Sequence, residues 1–170
     1  MKLITKEINN KYTVLKPFEE RFITKEFVRC LNKKSVNKYL TLRHTKQTIS
    51  TAKQYFNELK INKSIYYAIF SKKENKLIGT ITLRDYKKNN GYIGNMICYK
   101  KYFGTIESKI SFSIFLSFIF NNTKINKIYA GTEKKNISSN FNLIANNFKL
   151  IKKEKDHFKF LLKKEDLKKY

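Results

Sequence analysis

The sequence predicts an α+β fold around a mostly antiparallel sheet with one parallel step. Three observations carry this. Between Ser64 and Tyr99 the apolar period is that of strands, in three runs parted by short polar turns, which makes an antiparallel meander. Over residues 91–120 a strand breaks at Tyr102-Phe103-Gly104 and becomes a helix, and a strand returns at Ile125, Ile128, Tyr129 and Ala130. A crossover of that length implies parallel pairing. Residues 148–152 and 158–162 then close the chain as a hairpin around Glu154-Lys155-Asp156.

Taken in order, residues 2–16 read as extended, with Leu3-Ile4 and Tyr12-Thr13-Val14-Leu15 on either side of the turn signal Asn9-Asn10. Pro17 is the only proline and ends this region. Thr24 is an N-cap for a short helix carrying Phe27, Val28 and Leu31 on one face. Ser35 opens a second short helical piece. Thr48 caps a clearer helix, with Ile49, Ala52, Phe56 and Leu59 at helical spacing. The meander strands are centred on residues 65–70, 77–83 and 92–99. The helix over residues 105–121 is apolar on most sides and is expected to be buried. Its serines Ser108, Ser111, Ser113 and Ser117 let its backbone lie close to a sheet. Asn136 caps a last helix, whose expected buried face is Ile137, Phe141, Ile144, Ala145 and Phe148.

The chain has 170 residues and no linker, repeat or low-complexity boundary, so one domain spanning 1–170 is expected. No apolar run reaches the ~20 residues of a membrane span. The N-terminus lacks the apolar core of a signal peptide, and a cytoplasmic location follows by default. Cys30 and Cys98 have neither metal spacing nor a disulfide framework, and no metal site is expected. The formal charge is +24, from 37 basic and 13 acidic residues. This charge has two readings. One is a polyanion partner, nucleic acid or ribosome. The other, which scattered lysines and abundant Asn, Ile, Phe and Tyr favour, is compositional drift. The chain is expected to be a monomer or homodimer.

A strand feeding a glycine turn and a helix start is an anion cradle. The first-turn amides have no intrahelical partner, and the helix dipole adds positive potential. Several strings follow one another along the chain: Val36-Asn37-Lys38-Tyr39-Leu40 followed by Arg43, Leu77-Ile78-Gly79-Thr80-Ile81, Tyr102-Phe103-Gly104, Phe120, Lys127-Ile128-Tyr129-Ala130-Gly131, and Asn136 with Ser139. These strings and the order of elements resemble the GNAT superfamily of acetyltransferases, in the branch of ribosomal-protein N-terminal acetyltransferases and small-molecule relatives. The resemblance implies a six- to seven-stranded mixed sheet, mostly antiparallel, flanked by about four helices. It also implies acetyl-CoA as cosubstrate, lying where two parallel strands splay apart.

In that family the pantetheine pairs with the strand before the loop, here Met96, Ile97, Cys98 and Tyr99. The pyrophosphate sits on amides of a six-residue loop. One framing makes that loop Phe103, Gly104, Thr105, Ile106, Glu107 and Ser108; the other runs from Lys101 to Ile106. The first puts Phe103 at the family's basic position and Ile106 at its glycine; the second keeps a basic start and puts Ile106 at the final small position. The resemblance also implies Asn136 at the cofactor and Ser139 as the acid that protonates the leaving thiolate. A tyrosine seven residues after Asn136 is absent, since Leu143 stands there. Arg43 and His44 lie in the region that lines the acceptor pocket, and Asp85 is the candidate carboxylate on the substrate cleft.

The expected function is therefore an acetyl-CoA-dependent N-acetyltransferase acting on a primary amine of a small molecule, with a nucleotide-linked amino sugar as the candidate acceptor. The alternatives are a protein N-terminal acetyltransferase of ribosomal type, and a GNAT-fold binding protein that no longer catalyses.

Overall fold

The computed structural model describes residues 6–84 and 89–168. Its strands are β1 (Ile8–Asn9), β2 (Thr13–Pro17), β3 (Ile65–Ser71), β4 (Lys76–Arg84), β5 (Asn90–Ile97), β6 (Lys127–Glu133), β7 (Lys149–Lys153) and β8 (His157–Lys163). Its helices are α1 (Lys25–Leu31), α2 (Lys34–Asn37), α3 (Ile49–Ile61), α4 (Ile106–Asn122) and α5 (Ile137–Ala145). The strands form one sheet in the order β1-β2-β3-β4-β5-β6-β8-β7. Every pairing is antiparallel except β5 with β6. The α+β class and the single parallel step are as expected, and the described residues hold one strand more than the upper expectation. The extra strand is β1, two residues turned onto β2 by Asn10, whose side-chain oxygen accepts from the amides of Tyr12 and Thr13. The expected Leu3-Ile4 segment lies outside the described residues.

The helix starts form where short polar side chains satisfy first-turn amides. Thr24 accepts from the Phe27 amide at 3.1 Å, and Thr48 forms a capping box with Thr51. The two faces of the sheet are covered differently. On one face α1 and α3 enclose a core of Phe18, Phe27, Cys30, Ala52, Ala68 and Cys98. On the other, α4 and α5 cover Tyr67, Ile69, Ile81, Leu83, Ile128 and Phe160. The serines of α4 do lie at close contacts. Ser111 reaches the Thr13 hydroxyl at 3.1 Å, and Ser113 reaches Asn146 at 2.7 Å.

The buried face of α5 is not the expected one. Ile137, Phe141 and Ile144 are 58%, 67% and 57% exposed, while Asn140 and Leu143 are buried. Hydrogen bonds decide the orientation. The Asn140 side chain accepts from the Thr132 hydroxyl of β6 and donates to the carbonyls of Glu133 and Lys134. A buried amide satisfied at both ends outweighs an apolar stripe that finds no facing surface. Phe148, also expected on that face, is buried, because Asn147 at φ +62° turns the chain back toward the core.

β4 carries a bulge. Its register against β3 shifts between Ile69 and Phe70, adding one residue at Ile78. The bulge brings Gly79 against β5, where a Cβ would stand 2.4 Å from the Met96 carbonyl oxygen. Gly79→Ala is therefore expected to destabilise the fold by about 1–3 kcal/mol, read as a lower urea midpoint at unchanged slope.

Candidate functional site

The site begins where the sheet comes apart. β5 and β6 pair over three rungs, Asn90 with Lys127, Gly91 with Ile128 and Tyr92 with Tyr129. Beyond these, β5 continues to Ile97 paired only with β4, and β6 continues to Glu133 paired only with β8. The two strands thus open into a V. The Cys98 amide bonds to the Ile78 carbonyl at 2.7 Å, which fixes the phase of the β4–β5 ladder. By the alternation of an antiparallel ladder, the N–H and C=O groups of Asn95 and Ile97 and the C=O of Ile93 face the gap unpaired, the Ile93 N–H being taken up by the last β5–β6 rung. An unpaired inner edge of this kind is a template for a ligand with amide groups.

Past the end of β5, Lys100–Tyr102 make a 3-10 turn and Gly104 takes φ +71°. Gly104 has nothing within 4 Å of where a Cβ would be, so its backbone is open to close approach. Thr105 is the N-cap of α4, but its hydroxyl donates back to the Tyr102 carbonyl at 3.1 Å and does not cap. The first intrahelical bond is Lys109 to the Thr105 carbonyl. The amides of Ile106, Glu107 and Ser108 are consequently left without acceptors, at the positive end of a 17-residue helix. The loop is anchored by Tyr102, which is buried in the core on the α4 face.

The expected site residues divide into those gathered here and those that are not. Phe103, Gly104, Thr105, Ile106, Glu107 and Ser108 form the helix start, with Phe103 and Ile106 exposed. The Ser108 hydroxyl is occupied, donating to the Thr105 carbonyl at 2.9 Å. Lys101, the basic start of the second loop framing, is ion-paired with Glu74 at 2.6 Å. Met96, Ile97, Cys98 and Tyr99 run along the far end of the open edge. The Cys98 side chain points away from the gap, into the core under α1. A hydrogen bond with the Cys30 thiol, reinforced by burial, raises its pKa far above the ordinary thiol range, so it carries no thiolate. The Tyr99 hydroxyl donates to Glu26 at 2.7 Å. Burial, then this bond, pushes Tyr99 up to about 12, while the bond to Glu26 raises Lys76 to about 12.

Across the gap, Asn136 caps α5 by accepting from the Ser139 amide at 3.3 Å. Ser139 is half-buried on the first turn of α5, and its hydroxyl makes no hydrogen bond among the described residues. Arg43 reaches over from the 3-10 turn Thr41–His44 to pair with Glu133 at the end of β6. His44 beside it is exposed. Asp85 lies outside the described residues. Two site residues escaped sequence reasoning. The Asn95 side-chain oxygen is buried on the open strand with no hydrogen-bond partner. Its signal is a lone amide in the run Ile93–Ile97, on the same face as those two isoleucines. Glu133 is the only acidic residue between Glu107 and Glu154, and that isolation in so basic a chain was its signal.

The profile of the Acetyltransferase (GNAT) domain family matches residues 13–142. The chain belongs to this family and is an acetyl-CoA-dependent N-acetyltransferase. No curated protein sequence matches it. Among solved structures it is similar to RimL, a ribosomal L7/L12 alpha-N-protein acetyltransferase in complex with coenzyme A. The two share 14% identity and a TM-score of 0.82, over 93% of this chain and 98% of that one. It is also similar to FdhC, a nucleotide-linked sugar GNAT, at 18% identity and TM-score 0.77 over 96% and 93%. A ribosomal-protein-S5-alanine acetyltransferase from Vibrio fischeri matches at 19% identity and TM-score 0.73 over 96% and 100%.

GNAT acetyltransferases use acetyl-CoA, and the groups present fit it. The free amides suit a pyrophosphate, the open β5 edge suits pantetheine amides, and the unpartnered Asn95 oxygen suits an N–H donor. Because both thiols are buried, iodoacetamide is expected to leave Cys30 and Cys98 unmodified in the folded protein at pH 8 and to label both in urea, read by intact mass. Labelling of folded protein at the free-thiol rate would contradict the packed thiol pair.

Proposed function

We propose that this protein transfers the acetyl group of acetyl-CoA to a primary amine of a small molecule, with a nucleotide-linked amino sugar as the acceptor class. The observation that carries the reading is the V between β5 and β6, continuous with the free amides of α4. One strand–turn–helix unit thus offers a phosphate cradle and, within the same ligand's length, an open strand edge.

The roles follow from position. The amides of Ile106, Glu107 and Ser108, with Gly104, hold the pyrophosphate. The edge groups of Ile93, Asn95 and Ile97 orient the arm that carries the thioester, and an edge N–H stabilises negative charge growing on the thioester oxygen. The bound amine attacks directly. Ser139, on the first turn of α5, returns a proton to the departing sulfur. Arg43 and His44 stand on the acceptor side. The positive field of a +24 chain draws in both anionic substrates, so association slows as salt rises. The sugar reading is supported by the likeness to the nucleotide-linked sugar GNAT over nearly the whole chain.

Acetyl-CoA at one hundred times its dissociation constant should stabilise the protein by about 2.7 kcal/mol, seen as a rise of several degrees in Tm. No shift at millimolar ligand would overturn the reading. Gly104→Val, which forces a β-branched residue to positive φ, is expected to weaken acetyl-CoA binding about tenfold. Ser139→Ala is expected to lower kcat by roughly 10²-fold with the acetyl-CoA KM unchanged. Labelled acetyl-CoA incubated with amino-sugar nucleotides or with ribosomes tests the acceptor. Label appearing on ribosomal protein alone would replace the small-molecule reading by N-terminal acetylation.

A further inference from the structure

On the sheet face covered by α1 and α3, the side chains around the V fall into rows set by register. At the last rung before the strands part, Tyr92 of β5 faces Tyr129 of β6. Their rings stack with centroids 5.5 Å apart and planes at 25°. Tyr92 is 38% exposed, so the stack offers ring surface to solvent. Two residues further along each strand, on the same face, stand Gly94 and Gly131, one on each side of the gap. A Cβ on Gly131 would meet nothing within 4 Å, and one on Gly94 would meet the Thr82 hydroxyl at 2.9 Å. Two residues beyond Gly131 comes Glu133, held by Arg43. The result is a recess with an aromatic end, a middle bare of side chains and a carboxylate at its open end.

Cross-strand stacking explains why the tyrosines pair. The Thr82 hydroxyl accounts for Gly94, but among the described residues nothing occupies the space beside Gly131, which faces it across the gap. Glycine in a strand interior weakens the strand, and its usual warrant is the close approach of another group. The opposite face offers no such space, since α4 and α5 fill it with core side chains.

From this recess we infer that the acceptor is a ring-borne primary amine, its ring packed on the Tyr92–Tyr129 stack and its nitrogen between Gly94 and Gly131. The inference rests on the V being the acetyl-transfer site. Same-face residues along a strand lie about 7 Å apart. A ring at the tyrosine row therefore places a nitrogen attached directly, or through one carbon, at the glycine row. A flexible alkylamine has nothing to stack, and a peptide N-terminus, which could bond the gap-facing edge of Gly131, would leave the paired rings unused. Glu133 draws in the ammonium and takes one proton. The nitrogen then forms the C–N bond as the C–S bond breaks, and its second proton leaves with the thiol, so no further reagent is required. Both an amino sugar and an arylamine have this chemistry. The apolar face of a pyranose and an aromatic ring each pack on tyrosine.

Steady-state kinetics with acetyl-CoA test this on the full chain with four acceptors: a nucleotide-linked amino sugar, an arylamine, a linear diaminoalkane and a peptide with a free N-terminus. The ring-borne amines are expected to exceed the other two by about 100-fold in kcat/KM, and the better of them names the source. Tyr92→Ala and Gly131→Val should each raise the acceptor KM about tenfold, with the acetyl-CoA KM unchanged and Tyr92→Phe near wild type. Acetyl-CoA stabilisation in each variant confirms that it is folded. Preference for the diaminoalkane or the peptide, or an acceptor KM indifferent to Tyr92→Ala, overturns the inference while leaving acetyl transfer intact. Loss of acetyl-CoA stabilisation in the wild type overturns both.

Discussion

Three rungs of parallel pairing hold the two halves of this sheet together, and everything functional depends on their being only three. Asn90, Gly91 and Tyr92 zip to Lys127, Ile128 and Tyr129, and the strands then diverge. A fourth rung would satisfy the Ile93 carbonyl internally and begin to close the gap. Backbone groups left unpaired inside a sheet are costly unless something else completes them. The fold therefore accepts an incomplete interior as the condition for having a site.

The ends of the V are braced from outside. On one side the β4 bulge and the close contact of Gly79 with β5 set the direction of the open strand. On the other, Asn140 ties the β6–α5 connection to Thr132 and to two backbone carbonyls. Arg43 joins the region between α2 and α3 to the tip of β6. This last contact spans 90 residues of sequence, so the acceptor side and the far strand of the V cannot move independently while it holds. The sheet supplies the gap, and these side-chain ties keep its width.

Sequence reasoning reached the local features and missed those that arise from register. Thr24, Thr48 and Asn136 were legible as helix caps because a cap is decided within four residues. The parallel step was legible because strand, long helix, strand admits little else. The length of the β5–β6 ladder was not, since nothing in either strand marks where pairing stops. The α5 face was misjudged for a related reason. Counting apolar residues favours Ile137, Phe141 and Ile144, whereas Asn140 finds its partners only after β6 is in place. Asn95 looked like one more residue of a strand until its oxygen proved buried and alone. The cradle was legible as geometry, because free first-turn amides require a helix start rather than particular side chains.

The outer margins of the sheet bear on where a foreign strand could add to it. An open sheet of eight strands has two rims, each able to recruit a foreign strand. At one rim the described part of β1 is two residues long, a short template for an addition. At the other, β7 is interrupted by a register shift between Leu150 and Lys152 and carries Lys149, Lys152 and Lys153 among its five residues. An incoming strand would have to match a broken ladder and bury ammonium groups beside its own. The sheet is thus receptive on its inside and refractory at its borders, which confines backbone recognition to the one gap where a ligand is wanted.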